Sequence, residues 1–156
     1  MTPPQTIKLK LIDNLTIGAT VTVAPADQKL RRMRELNVTW DIASAERDTG
    51  DETYDLYITT SDGTSTWDLI HFPQVATTGA KTFTARILAD VLPQTVASNG
   101  VASNEGILLT SSTNAAGTLA AGTVRHGKWG NRLGYKLVVA GTVVTGIVST
   151  VLVEGR

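Results

Sequence analysis

Apolar and polar residues alternate along most of this chain, and a period of two rather than 3.6 predicts strands. Ile7-Lys8-Leu9-Lys10-Leu11 puts three aliphatic side chains on one face and two lysines on the other, the pattern of a half-buried strand. Thr20-Val21-Thr22-Val23 predicts a second short strand, closed by Pro25. Between Asp27 and Glu35, Leu30 and Met33 stand at helical spacing, while Arg32, Arg34, Leu36, Val38, Trp40 and Ile42 share one face of an extended chain. A turn followed by a strand over 34–43 accommodates both. Residues 53–60 and 66–72 predict a hairpin across Ser61-Asp62-Gly63-Thr64-Ser65, with Tyr54, Leu56 and Ile58 on one face and Trp67 and Leu69 available to meet them. Lys81 to Ile87 alternates again and turns Phe83, Ala85 and Ile87 inward; Leu88 to Leu92 continues the strand or curls into one helical turn before Pro93.

From Gln94 to Asn131 the chain changes to Ala, Ser, Asn, Gly and Thr, and only Ile107-Leu108-Leu109 is apolar enough for a strand. This stretch reads as a long loop excursion, and loops of that length are usually functional or mobile. Leu133 to Val139 and Val143 to Val153 return to strong β pattern. The 17 uncharged residues Leu137 to Val153 touch the lower limit of a membrane helix. Eleven of them are β-branched and two glycines interrupt them, so two strands joined at Ala140-Gly141-Thr142 fit better, and no membrane span is expected. About eight or nine strands without intervening helices predict an all-β fold, an antiparallel two-sheet sandwich or jelly roll. One domain over 1–156 is expected, with an extended N-terminal arm at 1–6 and the excursion at 94–131.

Composition strengthens the β assignment. Thr (24), Val (15) and Ile (9) make up 48 of the 156 residues, and branched side chains suit a pleated surface better than a helix. At this length roughly two thirds of the unfolded surface is buried on folding, so a core forms without staples. Fourteen Lys plus Arg balance fourteen Asp plus Glu, which argues against the broad basic field of a sequence-independent nucleic-acid binder. The absence of Cys removes thiol nucleophiles, disulfides and cysteine-ligated metals, and two histidines are too few for a multi-histidine centre. Met1-Thr2-Pro3-Pro4-Gln5 lacks the basic start and apolar run of a secretory signal.

Candidate chemistry is sparse. Asp48-Thr49-Gly50 spells the aspartic-protease tripeptide, but Glu46-Arg47 before it and Asp51-Glu52 after it describe a solvated turn rather than a dry dyad. Asp48, Asp51, Glu52 and Asp55 offer hard oxygen ligands without EF-hand spacing. His71 and His126 have no nucleophile or ligand partner at a diagnostic spacing. No phosphate loop, dinucleotide fingerprint, nucleophile elbow or metalloprotease motif occurs, and no catalytic residue, metal or cofactor is expected. Lys29, Arg31, Arg32 and Arg34 form one basic cluster, and Arg125, Lys128, Arg132 and Lys136 another; only Trp129 brings an aromatic ring into either, so an acidic protein surface suits them better than nucleic acid. Trp40 and Trp67 fall on apolar strand faces and read as core; displayed on an open face they would instead suit sugar.

The succession Glu35-Leu36-Asn37-Val38-Thr39-Trp40, then Leu56-Tyr57-Ile58-Thr59-Thr60-Ser61-Asp62-Gly63 with Trp67, then Leu133-Gly134-Tyr135-Lys136-Leu137-Val138-Val139-Ala140-Gly141 followed by Gly146-Ile147-Val148, resembles tailed-bacteriophage capsid decoration (cement) proteins of the jelly-roll type. The resemblance covers residues 34–90 and 131–156 and departs from the simplest members in the excursion 94–131. It implies a non-enzymatic virion protein, made in the host cytoplasm, that sits on the capsid surface, commonly as a homotrimer, and reinforces junctions between major capsid protein subunits. Contacts with such a partner are expected among Lys8, Lys10, Lys29, Arg31, Arg32, Arg34, Arg125, Lys128, Trp129 and Arg132. The alternative is a carbohydrate-binding or receptor-binding β-sandwich module of a phage tail or fibre, working through exposed aromatic rings.

Overall fold

The computed structural model describes residues 6–89, 105–108, 119–125 and 129–156. They form ten strands: β1 (Ile7–Ile17), β2 (Val21–Asp27), β3 (Glu35–Ala45), β4 (Thr53–Ser61), β5 (Thr66–His71), β6 (Lys81–Leu88), β7 (Glu105–Leu108), β8 (Thr123–Val124), β9 (Arg132–Ala140) and β10 (Ile147–Gly155). A single 3-10 turn, Leu30–Arg32, is the only helical element among the described residues. The strands build two five-stranded sheets, β1-β10-β3-β6-β7 and β2-β9-β4-β5-β8. Every pairing is antiparallel except β6 with β7, which is parallel. The two sheets pack face to face, so the chain is a β-sandwich. No helix among the described residues is long and apolar enough to cross a membrane.

The alternation in the sequence becomes the two faces of each sheet. Leu36, Val38, Trp40 and Ile42 of β3, Phe83, Ala85 and Ile87 of β6, and Val151 and Val153 of β10 point inward from one sheet; Tyr54, Leu56 and Ile58 of β4 and Leu133, Tyr135 and Leu137 of β9 meet them from the other. Trp40 lies at the centre, its ring centroid 5.7 Å from Phe72 and 5.8 Å from Phe83, so three aromatic rings tie the layers together. The turn over 30–32 buries Leu30 and Met33 as a plug below β3, which reconciles their helical spacing with the strand that follows.

Several expectations are corrected. Pro25 does not close β2; the strand runs on to Asp27, and Pro25 sits where the register with β9 slips between Val23 and Ala26, so its missing N–H interrupts no regular ladder. Gly134 lies against this irregularity, and a Cβ there would come within 2.3 Å of the Val23 carbonyl oxygen. The last strand begins at Ile147 rather than Val143, and β9 and β10 are not a hairpin: the 141–146 turn, with Gly141 and Gly146 at positive φ, carries the chain from one sheet to the other. Within the proposed excursion, the two described strands are not outside the sandwich. β7 extends one sheet beside β6, and β8 extends the other beside β5. Residues 1–5 of the expected arm and 90–92 of the stretch after β6 lie outside the described residues. Trp67 is half-exposed at the start of β5 instead of joining the core.

The edges formed by β1 and β2 are blunted. β1 carries register shifts on both sides of Ile12 and the left-handed Asn14, and presents Lys8 and Lys10; β2 carries Pro25 and its own shift. Bulges, lysines and proline all discourage an unplanned strand from adding to an edge.

Candidate functional site

A polar cluster sits on the outer face of β4 and β5. Antiparallel register places Tyr57 opposite His71, and the rings stack at 3.8 Å. His71 Nε2 is 3.2 Å from Asp55 Oδ1, and Gln74 Nε2 donates to Asp55 Oδ2 at 2.7 Å. Sequence reading left His71 without a partner; the fold supplies Asp55 from the neighbouring strand. The other ring nitrogen, Nδ1, is 2.8 Å from the Leu119 carbonyl oxygen, so it carries the proton and donates. Both ring nitrogens are thus occupied by partners inside the fold, one by a carbonyl and the other by a carboxylate. Burial, reinforced by the carboxylates of Asp55 and Asp68, pushes the Tyr57 phenol above its ordinary value, so it stays protonated. What the cluster does is clasp residues 119–125 onto the sheet, together with backbone bonds from Gly122 N to His71 O and from Arg125 N to Leu69 O.

The acidic turn at the far end of β3 spends its carboxylates on the backbone. Glu52 accepts from Thr49 N at 2.8 Å and Gly50 N at 2.9 Å. Asp51 accepts from Thr142 N at 3.1 Å and from the Thr49 hydroxyl. Glu46 reaches across to the 141–146 turn and accepts the N–H groups of Val144, Thr145 and Gly146. Burial alone would raise Glu46 and Glu52, but these hydrogen bonds outweigh it and hold both below the usual carboxylate range. Among the described residues no group of three or more His, Asp or Glu side chains is placed to hold a metal ion.

The opposite end of the sandwich is basic. The crossing from β2 to β3 carries Lys29, Arg31, Arg32 and Arg34, and Lys29, Arg32 and Arg34 are exposed. β9 begins there with the exposed Arg132, paired in register with Asp27. Lys8 lies on the outer face nearby, 2.8 Å from Glu154. Trp129 is half-buried and donates its indole N–H to the Leu30 carbonyl at 3.4 Å. Seven of the ten residues expected to make contacts, Lys8, Lys29, Arg31, Arg32, Arg34, Trp129 and Arg132, therefore come from three chain segments to one end. Lys10 lies further along β1 with Asp13, 2.6 Å away. Arg125 is corrected: it is 5% exposed beside Leu69 and not a surface contact. Lys128 and His126 lie outside the described residues.

Sequence reading missed three residues of this end. Glu35, 8% exposed, is gripped by two guanidinium groups: Arg86 Nε and Nη2 at 2.9 and 3.0 Å, and Arg156 at 2.9 to 3.1 Å. Arg86, opposed by burial and joined by Arg156 and Asn37, draws the Glu35 carboxyl from 4.5 to about 2. Only the outward phase of Arg86 in its strand hinted at this; convergence with β3 and β10 needs the register. Beside the clamp, a groove of about 350 Å³ on the outer face is lined by Thr6, Ile7, Lys8, Asn37, Glu154, Gly155 and Arg156. Compared with protein-family models, curated proteins and solved structures, the chain matches none.

Proposed function

We propose that this chain is a virion structural protein that binds the outside of a phage capsid and stabilises it by bridging major capsid protein subunits, as a homo-oligomer with a trimer favoured. The observation that carries this reading is the winding of the sandwich. Eight long strands lie in the orders β1-β10-β3-β6 and β2-β9-β4-β5, and we read that order as a jelly roll, the architecture of the decoration proteins the sequence resembles. The distribution of polar groups supports it as well: the titratable side chains described above hold turns and segments in place or face solvent at the two ends. Such an arrangement suits a permanent contact better than turnover.

The sugar-binding alternative has less support, because Trp40 is fully buried and Trp67 only half-exposed, so neither tryptophan is fully displayed on an open face. The test is sedimentation. Purified protein mixed with undecorated phage heads is expected in the pellet at a fixed ratio to the capsid subunit; its absence over a range of salt concentrations overturns the proposal. A mass measurement in solution tests the trimer.

A further inference from the structure

The folded chain is electrically polar although its net charge is zero. β3 runs from the basic end to the acidic turn, ten residue steps of about 3.3 Å, so the two ends stand roughly 33 Å apart. At the basic end Lys29, Arg32, Arg34 and Arg132 are exposed, and none takes part in an ion pair among the described residues. We propose that this end is a docking surface for a carboxylate-rich patch on another protein. Lys29, Arg32, Arg34 and Arg132 meet the patch, and in the adjoining groove, where Lys8 is already paired with Glu154, Arg156 keeps 64% of its side chain exposed to receive an acidic side chain.

Three features select that partner. Most of these cations are arginines, whose planar fork matches a carboxylate on two hydrogen bonds and which interfaces favour over lysine. The Glu35 clamp fixes Arg156 at the groove wall, so part of the ordering cost of binding is met before the partner arrives. The acidic far end, with Asp48 and Asp51 exposed, is repelled by the same patch, and the molecule approaches end-on. A long nucleic acid would meet that repulsion along its length, and of the two aromatic rings described near the basic end Trp129 is half-buried with its N–H engaged and Trp67 is only half-exposed.

The proposal rests on the capsid-binding reading only for where the acidic patch is found, so the test has two arms. In the first, a deca-L-glutamate peptide is titrated into the isotope-labelled full chain at low salt and followed by NMR. Shifts at Lys29, Arg32, Arg34 and Arg132, weakening with salt, are expected; Arg32→Glu with Arg34→Glu weakens binding about tenfold or more, Arg132→Glu weakens it separately, and Asp48→Ala leaves it unchanged. Absence of binding, shifts centred on residues 46–52, or tighter binding of a ten-nucleotide single-stranded DNA overturns the proposal. In the second arm the variants are sedimented with undecorated heads. Heads that retain the charge-reversed variants as well as wild type overturn the docking surface and leave the capsid reading intact. Glutamate binding with no sedimentation of wild type does the reverse.

Discussion

Replacing Glu35 with Gln tests the electrostatics of the basic end. In the folded chain the carboxylate is gripped by Arg86 and Arg156; in the unfolded chain it is free. A carboxyl drawn from 4.5 to about 2 corresponds to at most ~3.4 kcal/mol of stability. The arginine side chains keep 45% and 64% of their surface exposed, and solvent screening lowers the effect to ~1–2 kcal/mol. The sign follows from the direction of the shift. Because the folded value is depressed, the stabilisation is complete above pH 4.5 and is lost as the pH falls through about 2. Urea unfolding followed by circular dichroism from pH 2 to 7 should show Glu35→Gln less stable than wild type by ~1–2 kcal/mol near neutrality, about 2–8 °C in Tm. The difference should close as pH 2 is approached. Subtracting the two profiles removes the titration of every other carboxyl, including Glu46 and Glu52. An offset that is constant from pH 2 to 7, or absent at pH 7, refutes the clamp.

Other variants probe the core, the strand crossing and the clasp. Trp40→Ala should cost ~3–5 kcal/mol in urea unfolding, whereas Trp40→Phe should cost far less, since the indole N–H it removes is buried without a partner among the described residues. Gly134→Ala should destabilise by several times the ~1 kcal/mol expected of Gly79→Ala, because the first meets the backbone of β2 while the second has a positive φ but open space around it; equal melting temperatures would contradict the close approach. His71→Ala should speed amide exchange at Gly122 and Arg125, whose N–H groups bond to β5, while exchange at β3 and β10 stays unchanged. Lys81→Met should lower stability by ~1–3 kcal/mol, since the buried ammonium donates to the carbonyls of Thr77 and Thr78 and these would lose their partner.

Much of the strand inventory was legible because a strand declares its buried face within itself. Leu36, Val38, Trp40 and Ile42 alternate in any register, and the same holds for Tyr54, Leu56 and Ile58 and for Phe83, Ala85 and Ile87. The hairpin of β4 and β5 was legible for a related reason: Asp62 in the connecting loop accepts the N–H groups of Thr64 and Ser65, a turn written in adjacent residues. Where the pattern misled, a long-range contact had intervened. Pro25 ends a regular strand, but here Gly134 of β9 lets the bulged β2 pass close by and pairing resume at Ala26. Arg125 carries a charge in a polar stretch, yet β8 anchors it against Leu69 inside the molecule.

Alone, then, the sequence determined that this is a β protein, where most of its strands lie and which side chains enter its core, since period, branching and turn chemistry act between near neighbours. Only the tertiary structure decided which strands are adjacent. β9 and β10 follow each other in the chain and are equally apolar, but they lie in different sheets, and nothing in alternation records a partner. The groupings that depend on that choice are Glu35 with Arg86 and Arg156, Asp55 with His71, and the cations of three segments gathered at one end. Each joins residues far apart in sequence whose meeting is fixed by strand order and register, and the interactions that set strand order are summed over the whole core rather than written at any one site.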